Sequence, residues 1–127
     1  SLGNRQWTND VRVNEAAAKI TDSLQPEATI DSEGAVWVVW RETREGADGL
    51  YLQKLDAHGN RAWLEDLYVD TGPATQHYPD IEADGHHIYI VWSSQIDLYL
   101  QKLDSRGQAV WAAAKRAIGT RNGLQLT

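Results

Sequence analysis

Leu50-Tyr51-Leu52-Gln53-Lys54-Leu55-Asp56 returns as Leu98-Tyr99-Leu100-Gln101-Lys102-Leu103-Asp104, identical at every position and 48 residues later. Extending outward from this heptapeptide, Trp40 falls on Trp92, Pro26 on Pro79, Gly59 on Gly107 and Trp63 on Trp111, with short insertions between the anchors. The unit is therefore about fifty residues long, and a repeat of that period with strand-like text inside it predicts β-propeller blades or another stacked β array.

Within the unit the strands can be placed in order. Pro26–Asp31 reads as a short strand with Pro at its first residue, followed by a turn at Ser32-Glu33-Gly34. Ala35–Arg41 carries Val36, Val38 and Trp40 on one face and Ala35, Trp37 and Val39 on the other, and its counterpart alternates Ile88, Ile90, Trp92 with Tyr89, Val91. Two apolar faces predict a strand sandwiched between neighbouring sheets. The heptapeptide is the third strand. It ends in Asp56-Ala57-His58-Gly59 or Asp104-Ser105-Arg106-Gly107, where Asp accepts from the turn backbone and Gly takes the left-handed position, closing a hairpin. Between second and third strands, 11 positions separate Trp40 from Tyr51 but 7 separate Trp92 from Tyr99, which predicts a surface loop.

The ends are partial units. Gly3-Asn4-Arg5-Gln6-Trp7 matches Gly59-Asn60-Arg61-Ala62-Trp63, and Asp10-Val11-Arg12-Val13-Asn14 matches Asp66-Leu67-Tyr68-Val69-Asp70, so both stretches read as outer strands. Residues 14–25 hold helix formers behind Asn14 and predict one helical turn. Leu124-Gln125-Leu126-Thr127 aligns with Leu24-Gln25-Pro26-Glu27 and reads as the start of a third unit. The expected architecture is all-β: a partial blade over 1–25, complete four-stranded antiparallel blades over 26–78 and 79–123, and the start of another over 124–127. Two blades cannot close a propeller of four to eight. Further blades are thus expected from identical subunits, a homo-oligomer, or from a longer parent chain, with the strand at Trp7 placed to complete a neighbouring blade.

Composition narrows the function. With 127 residues, 42% hydrophobic and 24% charged, the chain suits one globular domain. A net charge of -6, with eight Arg and four Lys scattered along the chain, disfavours nucleic acid. There is no cysteine for disulfides or thiolate metal sites, no apolar run long enough for a membrane span and no signal-peptide pattern at the start.

Trp-x-x-Asp-Val-Arg-Val-Asn at 7–14, Ile-Asp-x-x-Gly-x-x-Trp-Val-Val-Trp at 30–40 and Tyr-Leu-Gln-Lys-Leu-Asp-x-x-Gly at 51–59 resemble the tandem repeats of bacterial secreted β-propeller proteins, relatives of the Asp-box propellers that include sialidases. Thr29-x-Asp31-x-x-Gly34-x-x-Trp37 approximates an Asp box with one extra residue, and Ala83-Asp84-Gly85 keeps less of it. The resemblance implies an extracellular or cell-surface location and a structural role for that hairpin.

No catalytic set emerges. Tyr51 and Tyr99, as sialidase-type nucleophiles, recur at one repeat position inside an apolar strand, which is core behaviour. His86 and His87, as neighbours on a strand, would face opposite ways and could not chelate jointly, so they read as a loop position. His77 with Asp80, and Glu42, Glu45 and Asp48, lack the spacing of a cation loop and read as solvated loop charge. Among six Trp, five are repeat-matched and read as packing; Trp37, opposite Tyr89, is the aromatic best placed for ligand contact. Gln53 and Gln101 read as paired inter-strand amides. The expectation is a non-enzymatic module without cofactor or metal, binding protein or glycan through loops at 41–49, 70–78 and 93–97. The alternative is a fragment of a carbohydrate-binding or sialidase-like hydrolase propeller.

Overall fold

The computed structural model describes residues 7, 9–15, 20–69, 77–94, 97–120 and 123–126. The chain is all-β, with two antiparallel sheets and no helix among the described residues, hence none long and apolar enough to cross a membrane. The first sheet has the order β1 (Ile20–Ile30), β2 (Val36–Arg44), β3 (Ala47–Leu55), β4 (Leu67–Val69). The second has β5 (His77–Asp84), β6 (His87–Ser94), β7 (Asp97–Leu103), β8 (Lys115–Thr120) and β9 (Gly123–Leu126). The repeat is reproduced pair by pair: Trp40 lies opposite Tyr51 and Trp92 opposite Tyr99, while Leu50 faces Val69 and Leu98 faces Ala117.

Several expectations need correction. The helical turn over 14–25 is replaced from Ile20 onward by β1, and residues 16–19 of it lie outside the described set. Pro26 does not open its strand. Its missing N–H is accommodated at an irregularity, where the register shifts between Leu24 and Glu27 and Gln25 has φ +54°. Tyr78-Pro79 repeats this, with φ +52° at Tyr78 and a register shift between His77 and Asp80. The two irregularities are joined, because the Tyr78 N–H donates to Gln25 Oε1 at 2.7 Å.

The insertion at 41–49 is not an open loop either. The β2–β3 ladder continues through Arg44 opposite Ala47, and Glu45-Gly46, both at positive φ, closes it as a two-residue hairpin. The segment at 124–127, expected to start a third sheet, instead pairs through Leu126 with β8, whose open row of backbone groups takes a fifth strand. The loop expected at 70–78 falls outside the described residues up to 76, as do 95 and 96 of the loop at 93–97.

The core lies between the sheets. Trp37, Val39, Leu50, Leu52 and Val69 of the first meet Ile81, Ile88, Ile90, Trp92 and Leu103 of the second. In repeat terms these sets come from opposite faces. The second sheet buries the face of Ile88, Ile90 and Trp92, whose counterparts Val36, Val38 and Trp40 look away from it in the first. The two units therefore meet through non-equivalent faces.

Two polar links accompany the packing. Lys54 Nζ lies 5.0 Å over the Trp37 ring and donates to the Ser105 carbonyl in the Asp104–Gly107 turn, 3.1 Å away. The Trp63 indole covers Gly107 of that turn so closely that a Cβ there would stand 2.8 Å from two ring carbons. Trp7 covers Gly59 in the same manner, and its Nε1 donates to the Ala57 carbonyl at 3.3 Å. Trp7 and residues 9–15 therefore pack on the first sheet of their own chain, with Trp7 over Gly59 as Trp63 is over Gly107.

Candidate functional site

Among the described residues, the densest polar chemistry lies on the side of the first sheet that faces residues 9–15. The extended β2 strand carries Trp40, Glu42 and Arg44 to this face, since alternate residues of a strand share a side. β3 contributes Tyr51 and Gln53, and Asp66 enters just ahead of β4. Arg44 pairs with Glu42, Asp66 and Glu15, and Arg61 pairs with Asp66 at 2.8 Å.

Glu42 corrects the expectation of solvated loop charge: it is 1% exposed. A carboxylate is buried at heavy cost unless donors surround it. Here Asn14 Nδ2 donates at 2.9 Å, the Ser23 hydroxyl at 2.7 Å and Trp40 Nε1 at 3.0 Å, in addition to Arg44. Burial raises its pKa, but these four donors outweigh burial and hold it below the ordinary carboxylate value. Asp66 behaves likewise: burial is opposed by the Glu15 N–H, Arg44, Gln53 and Arg61, with a net lowering. The Arg44 guanidinium, opposed by burial, is raised by Glu42, Asp66 and Glu15. These charges are locked into one another, so the cluster clamps 14–15 to the sheet.

Beside the clamp is a cleft of about 180 Å³ lined by Val13, Asn14, Ser23, Pro26, Val38 and Trp40. Its walls are largely apolar, and its polar groups Asn14 and Ser23 already serve Glu42.

The aromatic and amide candidates fall into packing positions. Trp37 is 0% exposed, its Nε1 donates to Asp31 Oδ2 at 2.9 Å, and it meets Trp63 edge-on with centroids 5.7 Å apart. Asp31 also accepts from the N–H groups of Glu33 and Ala35, so the Asp-box-like stretch is a self-closed hairpin. Tyr51 stacks on Trp40 at 6.4 Å under the Arg44 guanidinium, and burial pushes its phenol up, away from nucleophilic ionisation. Tyr99 stacks on Trp92 at 6.1 Å. Gln53 donates to Asp66 and the Trp63 carbonyl and accepts from the N–H groups of Lys54 and Trp63, whereas Gln101 donates to the Trp111 carbonyl and accepts from the Lys102 N–H. His86 sits in an exposed turn and His87 opens β6. Asp80 Oδ1 accepts its neighbour's N–H, from Ile81, and the His77 side chain lies outside the described set. Asp48 accepts from Arg41 and Thr43, which stiffens the β2–β3 hairpin.

Asp66, like Arg44, Arg61 and Glu15, was missed from sequence. Its signal is Trp-x-x-Asp at Trp7 and Trp63, which becomes Trp-x-x-Ala at Trp111, with Glu42 likewise opposite Ser94. The clamp therefore belongs to the first sheet alone. No protein-family model, curated protein or solved structure matches this chain.

Proposed function

We propose that the chain is a non-enzymatic pair of β-propeller-type blades, a rigid extracellular scaffold that presents variable connections to a protein or glycan ligand. The observation that carries this is the division of labour between repeated and unrepeated residues. Residues present in both units, the Gln, the Lys, the Asp-x-x-Gly turn and the Trp, are spent on holding strands and sheets together. Among the described residues, the long β2–β3 hairpin ending at Glu45, Gly46, Ala47 and Asp48 is exposed and differs between units. Stacked tyrosines and mutually neutralised Arg44, Glu42 and Asp66 further favour scaffold over hydrolase. Location outside the cell rests on the resemblance to secreted propeller repeats.

Screening the purified chain against arrays of glycans and of secreted proteins tests this, with a Glu45→Lys/Ala47→Arg variant as control. Specific binding lost in the variant, with an unchanged melting temperature, supports presentation by the hairpin. Turnover of a sialoside or other glycoside by the wild type, or binding indifferent to the variant, contradicts it.

A further inference from the structure

We propose that the outer face of the second sheet docks the first sheet of a second copy of this chain, head to tail, repeating the packing found within one copy. This rests on the blade reading above and names the blade that follows.

The outer face of the second sheet is formed by Tyr89, Val91, Leu98 and Leu100. Their repeat counterparts are Trp37, Val39, Leu50 and Leu52, each fully buried against the second sheet. Three of these four pairs are identical residues and the fourth exchanges one large aromatic for another, yet Leu98 is 50% exposed where Leu50 is covered. The complementary surface lies on the other side of the molecule. Ile30, Val36, Val38, Trp40 and Leu55 are the counterparts of Ala83, Ile88, Ile90, Trp92 and Leu103, the side of the second sheet that receives the first. Ile30 is 65% exposed at its edge, whereas Trp40 and Leu55 are already buried in the single chain, where Val13 and Asn14 line the cleft with Trp40.

The polar links are also prepared. Lys102 Nζ lies 5.6 Å over the Tyr89 ring, as Lys54 lies over Trp37 before reaching the Ser105 carbonyl. On a docked copy the equivalent acceptor is the Ala57 carbonyl. Trp7 and Trp63 each cover the glycine of an Asp-x-x-Gly turn, and Trp111 is the third of that series. In the pair, Trp111 of one copy takes the place over Gly59 that Trp7 of the other copy otherwise fills. Residues 7–15 thus compete with the partner, and loosening Trp7 favours association. The two surfaces differ, so the contact is heterologous and leaves a free face at each end of a dimer.

Sedimentation across a concentration series, with two surface variants, tests this. Leu98→Arg blocks one face and Ile30→Arg the other; both positions are exposed, and retention of the wild-type melting transition verifies folding. The wild type is expected to form dimers and longer species, each variant alone to remain monomeric, and their equimolar mixture to stop at a 1:1 dimer through the one intact pair of faces. Trp7→Ala is expected to tighten wild-type association about tenfold. A monomeric wild type, a mixture that stays monomeric, or self-association of either variant alone overturns the proposal. A monomer that still shows Trp63 over Gly107 sinks only the docking, whereas absence of that intramolecular contact sinks the blade reading beneath it.

Discussion

Adding a single methyl group at Gly107 probes the packing of one sheet on the other. Gly107 has φ +83°, and its Cβ would stand 2.8 Å from two atoms of the Trp63 ring, closer than real Cβ contacts allow. Gly34 has the same φ, +83°, but a Cβ there meets nothing within 4 Å. Gly34→Ala therefore reports only the left-handed backbone cost, ~1–2 kcal/mol. Gly107→Ala carries that cost plus overpacking against the indole, ~1–3 kcal/mol. At about 4 °C per kcal/mol for a domain of this size, Gly34→Ala lowers the melting temperature by about 6 °C and Gly107→Ala by about 14 °C. Gly59→Ala, with approaches of 3.1 and 3.2 Å to Val11 and Trp7, falls between them. In a Trp63→Leu background the extra cost at Gly107 vanishes, as a double-mutant cycle in urea will show. Equal losses at Gly34 and Gly107, or an unchanged Gly107 penalty without the indole, would refute the packing described.

Removing the Asp66 carboxylate as Asp66→Ala takes a buried partner from Arg44, Arg61 and Gln53, and unfolding in urea is expected to show a loss of about 3 kcal/mol, with Arg44→Met less harmful when Glu42 is changed to Leu at the same time. Gln53→Leu costs more than Gln101→Leu by about 1–2 kcal/mol, since Gln53 bonds a buried carboxylate as well as backbone; chemical denaturation of the two variants measures the difference. Asp31, Glu42, Asp56, Asp66 and Asp104 all sit below the ordinary carboxylate value in the folded chain. Groups with depressed folded pKa stabilise above the unfolded value, so the contribution of these carboxylates to thermal stability starts to fall as pH drops through about 4 and continues falling below it.

The repeat made most of the sheet framework legible. An identical heptapeptide, two apolar faces on the preceding strand and Asp-x-x-Gly turns sufficed to place β2, β3, β6 and β7, because those positions carry the same packing burden twice. Gln53 and Gln101 were readable for the same reason, since an amide kept inside an apolar strand must be paired. What escaped was set by single-copy residues. Nothing in the spacing of Glu42, Glu45 and Asp48 distinguishes a buried carboxylate from two hairpin charges; that depended on Asn14, Ser23 and Arg44 arriving from three directions. Pro26 was read as a strand start, whereas left-handed Gln25 lets the strand continue past it, as left-handed Tyr78 does at Pro79. Glu45-Gly46 is a two-residue hairpin turn hidden in what the length difference suggested was a loop. At Trp37, burial from both sides decided a packing position that periodicity alone left open to a ligand.

The face-to-face stacking of repeat-equivalent sheets is tested most directly by proton NMR at the turn glycines. The account predicts that the Gly107 α-protons are shifted strongly upfield by the Trp63 ring and show nuclear Overhauser contacts to its Hζ2 and Hη2, with Gly59 shifted upfield by the Trp7 ring and in contact with the Val11 methyl, and Gly34 showing neither. Ordinary Gly107 shifts without contacts to Trp63, in a folded chain, would contradict it.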